Sequence, residues 1–582
     1  MEPETGLPER RLSGALLYRP AAHLLLIALI GLLAYSNTFE ASFHFDDTRN
    51  IVANALIRDF SNFIDPSAAR EHPYYNDFKM RNVGFLSFAL NYKLHGLDVT
   101  GFHILNLTIH VLNGFLVYFL VVVTFMTPRM RSPASTGAFP ARGEPDCRLL
   151  IGLFSALLFV SHPIQTQAVT YIVQRFASLA TMFYMTAILA YARYRLLLQH
   201  RPAAAWCCYV LALVCTLLAM KTKEISFTIP ITISLYELMF FDGQSGSPKR
   251  RFAFLLPFLL TFAVIPLSAI NLDSHSGPLA EQLAEKSRVL TTLSRKDYFL
   301  TQLTVIPVYM RLIFMPVGQN LDYDHPIYTA ILNPRVALSS LLLLSVLLIG
   351  VWSLRVSRTG DRRWRLVSFG IFWFLVTLLP ESSLIPIVDV IYEHRAYLPS
   401  VGAFVSIVSC VFLLGPGLRS NRSRAMKATL LALAGGAVVL AAATYARNNV
   451  WKNERALWED VVRKSPYKER ARNTLGSVYL DTGELDLAHE ELRRTLVINP
   501  YYWPAQVNLG TCYMEKARAA LHKTESSETA LALVEKAIAC YEKALALGPD
   551  TGMVLSLLDS AHRRYGSIVS VHQRRPSEAS LP

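Results

Sequence analysis

Ten apolar runs, at about 21–37, 104–126, 176–192, 203–220, 225–241, 252–270, 336–354, 366–380, 397–418 and 428–446, with a shorter one at 149–160, leave this chain little choice of solvent. A helix needs about 20 apolar residues to cross a bilayer, and in lipid every backbone N–H must be satisfied within the helix. The chain is therefore expected to be an all-α, polytopic membrane protein of about 11 transmembrane helices. Basic residues sort the loops. Arg10/Arg11/Arg19, Arg129/Arg131/Arg142/Arg148, Arg193/Arg195/Arg201, Lys249/Arg250/Arg251, Arg355/Arg358/Arg362/Arg363/Arg365 and Arg419/Arg422/Arg424/Lys427 fall in every second loop, so these loops and the N-terminus are read as cytoplasmic.

A further apolar segment at 299–316 contains Pro307 and Arg311 and has no basic cluster on either side, so it reads as a re-entrant or interfacial element inside one external loop, about 271–335. Eleven crossings put the C-terminus outside. The first run has a crossing's length and no small-residue cleavage site after it, as an uncleaved anchor would. Composition agrees: 52% of the 582 residues are hydrophobic and 17% charged, too apolar for a soluble globule of this length. The net charge of +14 is spent on inter-span clusters, which argues against nucleic acid as a partner. The seven cysteines have neither metal-ligand nor disulfide-framework spacing.

From about 447 the pattern changes. Leu475-Gly476, Tyr479, Ala488, Leu492 and Pro500 fit the tetratricopeptide repeat, and Leu509-Gly510, Tyr513, Ala537, Tyr541, Ala544 and Pro549 fit it again. Pro466 and Pro500 stand one 34-residue period apart, while Pro549 stands one period and 15 inserted residues further on. The expected division is thus a transmembrane domain over 1–446 and an α-solenoid over 447–582, with Trp458 and Pro466 ending a degenerate first repeat and 552–565 as a capping helix. Such stacks bury a core between neighbours and leave a groove suited to extended peptides, although a purely structural solenoid has the same pattern.

Polar residues that need explaining gather in the external loops. Asp46 and Asp47 follow the first span within Phe43-His44-Phe45-Asp46-Asp47, where like charge and burial would raise a carboxyl pKa toward a general base's range. The pair could instead hold a divalent cation such as Mg or Mn through oxygen, or merely cap a helix. His103, Asn106, His110 and Asn113 form one helical face of the second span, as inter-helix hydrogen-bonding glue or as a site wall, with glue favoured. Arg81, His162, Gln174-Arg175, Lys223-Glu224 and Glu393-His394-Arg395 add cations and amides from several external loops, each explicable alone as snorkelling or an ion pair at a helix end.

This ordered set resembles the tetratricopeptide-bearing transmembrane O-mannosyltransferases and their bacterial relatives, within the polyprenyl-phosphate-dependent, multi-spanning (GT-C) glycosyltransferases. The residues that carry the resemblance are Phe45-Asp46-Asp47, Arg81 with Leu86-Ser87-Phe88 and Leu90-Asn91-Tyr92, Phe102-His103, Asn106, His110, Asn113, His162-Pro163, Thr166, Val169, Arg175, Lys223-Glu224, Tyr397-Leu398-Pro399-Ser400 with Gly402, and the repeats. Gln165 and Gln167 depart from the animal pattern of His and Glu, Arg395 is displaced by one position from their Glu-Arg pair, and the repeats are fewer, which leaves the sugar open; the shorter chain and the absence of sequons in the external regions favour a bacterial member.

The resemblance implies an inverting transfer of a sugar from a polyprenyl-phosphate donor to a Ser/Thr hydroxyl of a protein held by the repeats. Asp46 would be the base and Asp47 its support or a metal ligand; Arg81, Arg175, Lys223, Arg395 and His394 would hold the donor phosphate, and His103, His162 and Glu393 would wall the site. The setting would be the inner membrane of a bacterium with the repeats in the periplasm, or the endoplasmic reticulum membrane of a eukaryote. Two rivals remain: a lipid-linked glycan polymerase or ligase without a protein acceptor, and a non-catalytic membrane scaffold that recruits partners through its repeats.

Overall fold

The computed structural model describes residues 19–65, 69–131, 147–241, 248–269, 293–415, 422–522, 527–548 and 551–574, and over these the chain is helical, with no strand. It divides into two compact units. One comprises Met1–Gln319 with His325–Lys452, and the other Asn320–Asp324 with Asn453–Pro582.

In the first unit the longer helices are α1 (Pro20–Ala34), α2 (Asn82–His95), α3 (Val99–Thr124), α4 (Cys147–Ser161), α5 (Arg175–Leu197), α6 (Pro202–Met220), α7 (Ile229–Phe240), α8 (Pro248–Leu260), α9 (Arg295–Phe314), α10 (Pro334–Thr359), α11 (Trp364–Leu378), α12 (Tyr397–Leu414) and α13 (Arg422–Asn448). Among the described residues seven helical stretches are long and apolar enough to cross a membrane: those of α3, α5, α6, α10, α12 and α13, and Lys249–Ser268, which contains most of α8. An eighth forms if α4 and Pro163–Val169, bent 55° apart, are one broken span. The break falls at His162-Pro163, where the proline ring cannot continue a helix. Two more apolar helices, α1 and α11, have 15 residues each.

The run at 225–241 is shorter as a helix than its hydropathy suggests. Glu224–Thr228 winds as a 3-10 turn, and α7 begins at Ile229 with Pro230 in its first turn, which leaves 12 α-helical residues. All but the last two residues of segment 299–316 lie within α9, whose 20 residues include Pro307 and the charges Arg295, Lys296, Asp297 and Arg311 and fall outside the crossing criteria. It packs on α10, while Gln302 Nε2 donates to Val390 O at 2.7 Å.

Burial separates the helices. The apolar windows of α3, Ile172–Leu197 and Glu393–Leu414 are 61%, 72% and 67% buried, so these three form the centre of the unit. Only 17% of the α10 window is buried, and its exposed Leu338, Leu341, Leu348 and Trp352 are what a lipid-facing helix presents.

The second unit runs α14 (Glu454–Lys464), α15 (Glu469–Asp481), α16 (Leu485–Ile498), α17 (Trp503–His522), α18 (Ser527–Leu547) and α19 (Thr551–Arg574), each packed on the next. The repeat's small position is used for close approach. A Cβ on Gly476 would lie 2.8 Å from Leu492 Cγ, and one on Gly510 would lie 2.6 Å from Tyr541 Cε1. The 15 inserted residues lengthen a hairpin rather than loop out: α17 and α18 have 20 and 21 residues where α15 and α16 have 13 and 14. That extension has its own core of Ala517, Ala520, Ala530, Val534 and Ile568, which also carries α19 beyond the expected 552–565. Asn320–Asp324 joins this unit: Asn320 Nδ2 donates to Ser465 Oγ at 2.8 Å, and Arg470 Nε to Asp322 Oδ2 at 2.8 Å.

Candidate functional site

The turn after α1 is bent by Phe45, whose φ of +43° no other non-glycine among the described residues shares in sign. Asp47 holds that bend. It is buried, its Oδ2 accepts the His44 N–H at 2.9 Å and its Oδ1 the Val173 N–H at 2.7 Å, so it ties the turn to the start of the α5 span. Burial pushes the Asp47 carboxyl up to about 8, against the two backbone N–H donors, with the neighbouring Asp46 charge adding to the rise. Burial likewise lowers His44 to about 4, a neutral ring whose Nε2 lies 2.7 Å from Trp451 O.

Asp46 is only part-buried. Its backbone N–H donates to Tyr171 Oη at 2.8 Å, and its carbonyl accepts Asn50 Nδ2 at 2.9 Å from the π-helical turn Thr48–Val52 that follows. The two adjacent carboxylates thus have separate positions: Asp47 faces backbone donors inside, and Asp46 is the accessible one. Both Asp47 oxygens accept N–H groups, and among the described residues no three His, Cys, Asp or Glu side chains come together as ligands, so the geometry adds no support to the reading of the pair as a Mg or Mn site.

Four of the expected phosphate ligands converge. Arg81, at the start of α2, gives Nε to both Glu224 oxygens, at 2.9 and 3.1 Å, and stands over the Phe176 ring, while its terminal nitrogens have no partner among the described residues. Lys223 Nζ is 3.4 Å from Glu381 Oε1. Arg395 sends Nη1 and Nη2 to Val390 O and Asp389 O at 3.2 and 2.7 Å. His394 stacks on Tyr392, with ring centroids 5.2 Å apart. Lys223 lies within electrostatic reach of Glu381, Arg81, Glu224 and Arg395, and His394 within reach of Lys223, Arg395 and Arg81. Burial pushes the Lys223 ammonium below its ordinary pKa, opposed by Glu381. Burial also works against the Glu224 charge, but Arg81 overrides it and leaves the carboxyl below its usual range. Inside this buried set the Arg395 Nε donor makes no hydrogen bond, and neither does His394 Nδ1, donor or acceptor according to tautomer.

Tyr171 connects the two halves, being in electrostatic reach of Asp46, Asp47 and Tyr392. Tyr392 in turn stacks on His394 and receives the Arg395 guanidinium over its ring at 5.6 Å.

Arg175 does not join the cation cluster, a correction to its reading as a phosphate ligand. It is fully buried, and its donors go to Asn106 Oδ1 at 2.5 Å, Ser87 O at 3.2 Å, Asn91 Oδ1 at 2.8 Å and Phe102 O at 3.0 Å, with the guanidinium between the Phe88 and Phe102 rings. The three expected wall residues are also turned to packing. His103 Nε2 lies 2.9 Å from Ala41 O; His162 caps the Pro163 turn and reaches Ile313 O at 2.9 Å; Glu393 accepts Gln319 Nε2 at 2.7 Å. The α3 stripe is glue along its length: Asn106 donates to Val169 O, His110 pairs with Tyr397 Oη, and Asn113 donates to Ser178 O.

Sequence reasoning passed over three members of the site, Glu381, Tyr171 and Tyr392. Glu381 had one signal, an acid directly after a span on the external side. Gln167, where the animal pattern has Glu, accepts the His394 backbone N–H at 2.7 Å and so helps set that loop.

No family model matches the chain, and no solved structure resembles it. Its similarity is to curated proteins. It is 23% identical over 502 residues to "Protein O-mannosyl-transferase F38B6.6" of Caenorhabditis elegans, covering 82% of this chain and 63% of that protein. With "Protein O-mannosyl-transferase TMTC3" of Mus musculus the identity is 22% over 85% of this chain and 53% of that one, and with "Protein O-mannosyl-transferase tmtc2" of Xenopus laevis it is 25% over 81% and 62%. The chain therefore spans between half and two thirds of these relatives' length. The resemblance carried by the motifs is matched by similarity over most of the chain to proteins of that name.

Proposed function

We propose that this chain is a membrane glycosyltransferase that moves a sugar from a polyprenyl-phosphate donor to a Ser/Thr hydroxyl of a protein at the outer face of the membrane. The observation that carries the reading is the cluster of Arg81, Lys223, Arg395 and His394, with donors left unpaired in a buried setting, connected through Tyr392 and Tyr171 to an accessible carboxylate at Asp46. The names of the relatives support the reaction class.

In this reading the acceptor hydroxyl gives its proton to Asp46 as its oxygen attacks the anomeric carbon. The bond from that carbon to the phosphate oxygen breaks, its electron pair stays on the phosphate, and one displacement inverts the anomeric centre. Charge develops on the sugar as an oxocarbenium-like state and on the leaving phosphate. Arg81, Lys223 and Arg395 are pre-aimed cations in a low-dielectric site, the arrangement that best stabilises a growing phosphate charge. Arg81 is the best placed, because Glu224 fixes Nε and leaves the terminal fork for phosphate oxygens. Asp47 keeps the bend that presents Asp46, and the helical repeats take the acceptor segment.

The test is transfer from a labelled short-chain polyprenyl-phosphate sugar by the full chain in lipid nanodiscs, with mass spectrometry of acceptor proteins. Transfer that is lost in Asp46→Asn and unaffected by chelators is the expected result. Donor turnover with no modified protein would favour a polymerase or ligase, and absence of turnover a scaffold.

A further inference from the structure

The acid in the middle of the cation cluster has no role in the displacement just described. Arg81, Lys223 and Arg395 bring three positive charges, and Glu224 and Glu381 return two negative ones; Asp77, also within reach of Arg81, is half exposed and paired with Arg49, so the buried set keeps about one positive charge to offer. The two acids are held differently. Glu224 is locked by Arg81 through both oxygens, at 2.9 and 3.1 Å. Glu381 meets Lys223 Nζ at 3.4 Å, longer than a charge-assisted hydrogen bond, and its carboxylate has no shorter partner among the described residues. Its backbone is fixed, with the carbonyl accepting Tyr298 Oη at 2.7 Å, so the side chain can turn without moving the loop. Within electrostatic reach of it, Arg395 Nε, on a side chain more than nine-tenths buried, is a donor that Glu381 leaves unmet.

We infer that Glu381 is the internal counter-anion of the phosphate site, occupying the cations between turnovers and competing with the phosphate monoester that transfer leaves behind. The inference rests on the donor reading above. A phosphodiester donor carries one negative charge, which one surplus positive charge matches. The product is a monoester with a charge of about −1.5 to −2 at neutral pH, so without an opposing anion the same cations would hold product more tightly than substrate. Glu381 is a loosely held carboxylate positioned to prevent that. It touches no reacting atom, and is a positioning residue for the phosphate's exit.

The experiment is the affinity of the full chain, in nanodiscs of uncharged lipid, for a short-chain prenyl monophosphate, measured for wild type, Glu381→Gln and Glu381→Asp. Glu381→Gln should bind the monoester about tenfold more tightly, the scale of removing one like charge at close range in a partly buried site. Its steady-state turnover should fall through product inhibition, and Glu381→Asp should restore both monoester affinity and turnover toward wild type. A misfolded variant cannot bind more tightly, so a gain is not open to a structural explanation. If wild type binds and Glu381→Gln binds equally or more weakly, the counter-anion role is wrong and the phosphate site stands. If no variant binds the monoester, the phosphate reading itself is wrong, and this inference falls with it.

Discussion

Arg175 and Arg81 are the same residue type, each at the mouth of a helix in the same unit, and they have opposite characters. Arg175 is saturated: four hydrogen bonds and two rings consume its guanidinium, and it stitches α2, α3 and α5 together. Arg81 is unsaturated. Its Nε is committed to Glu224 and its terminal nitrogens are not, and it is surrounded by other cations with spare donors. Buried polar groups that close on themselves build a fold, because an unmet donor in a low-dielectric interior is costly; a set left open is tolerated where a ligand completes it. The two carboxylates differ in exposure as well, Asp47 being buried on backbone donors and Asp46 only part-buried.

The largest effect should come from the part-exposed carboxylate. Asp46→Asn keeps size and hydrogen-bonding capacity but removes the base, so transfer should fall by about 10²–10⁴, the usual range for a positioned general base, with donor affinity little changed. Wild-type transfer rates in Asp46→Asn protein recovered at normal levels would end the claim that this acid is the reactive one.

Next comes the arginine pair itself. Arg81→Ala should weaken donor binding by about 10–100-fold with the smaller stability loss of the two, about 1–2 kcal/mol, from the part-exposed Glu224 it leaves without a partner. Arg175→Ala should do the reverse, costing about 3–5 kcal/mol of stability by stranding Asn106 and Asn91, with donor affinity unchanged per folded molecule. Measuring Tm and donor Kd on both variants breaks the comparison if their profiles coincide.

How much of this was legible follows from how local each signal is. The apolar helices were readable because lipid imposes apolar runs of fixed length, although among the described residues seven, or up to eight, and not eleven are long enough to cross, and the helical pairs of the second unit were readable because Leu475-Gly476 and Leu509-Gly510 recur at set offsets from Pro500 and Pro549. Where a proline and a polar turn share a run, as at 224–230, hydropathy overstated the helix. The stripe His103, Asn106, His110 and Asn113 was readable as one face, but glue and wall differ only in what the face meets. Arg175 and Arg81 could not be told apart, since the partners that saturate Arg175, from Ser87 to Asn106, are set by tertiary packing of α2 and α3 against α5. Glu381 sits in no motif and becomes significant only through Lys223, 158 positions earlier in the chain.

A smaller effect tests the buried carboxylate by pH. Burial raises Asp47 from an ordinary value of 3.8 to about 8, so between these values the folded protein holds a proton that the unfolded chain has released. Stability from this group is therefore fully present below about 3.8, falls as pH rises toward 8 and is level above it. Asp47→Asn should lower stability by about 1–3 kcal/mol, since its amide cannot accept from both His44 N–H and Val173 N–H, and should remove this part of the slope. Melting curves from pH 4 to 8.5 that stay parallel for the two proteins would show Asp47 to be ionised in the fold, and the contrast with Asp46 would then need another cause.

The smallest effect belongs to Arg49, a half-exposed cation close to Asp46 in sequence. Arg49 pairs with Asp77 at 3.1 Å and rests on the Tyr74 ring, but both charged side chains are about half exposed. Solvent and salt screen such a pair, so it contributes about 0–1 kcal/mol, and no buried donor beside it is left waiting for an anion. Arg49→Ala should leave Tm, donor affinity and transfer within about twofold of wild type at physiological salt, while Arg81→Ala under the same conditions loses donor binding. If Arg49→Ala weakens the donor as much as Arg81→Ala does, phosphate recognition depends on the summed field of the loop cations and not on unsaturated buried donors, and the distinction between open and closed sets loses its functional meaning.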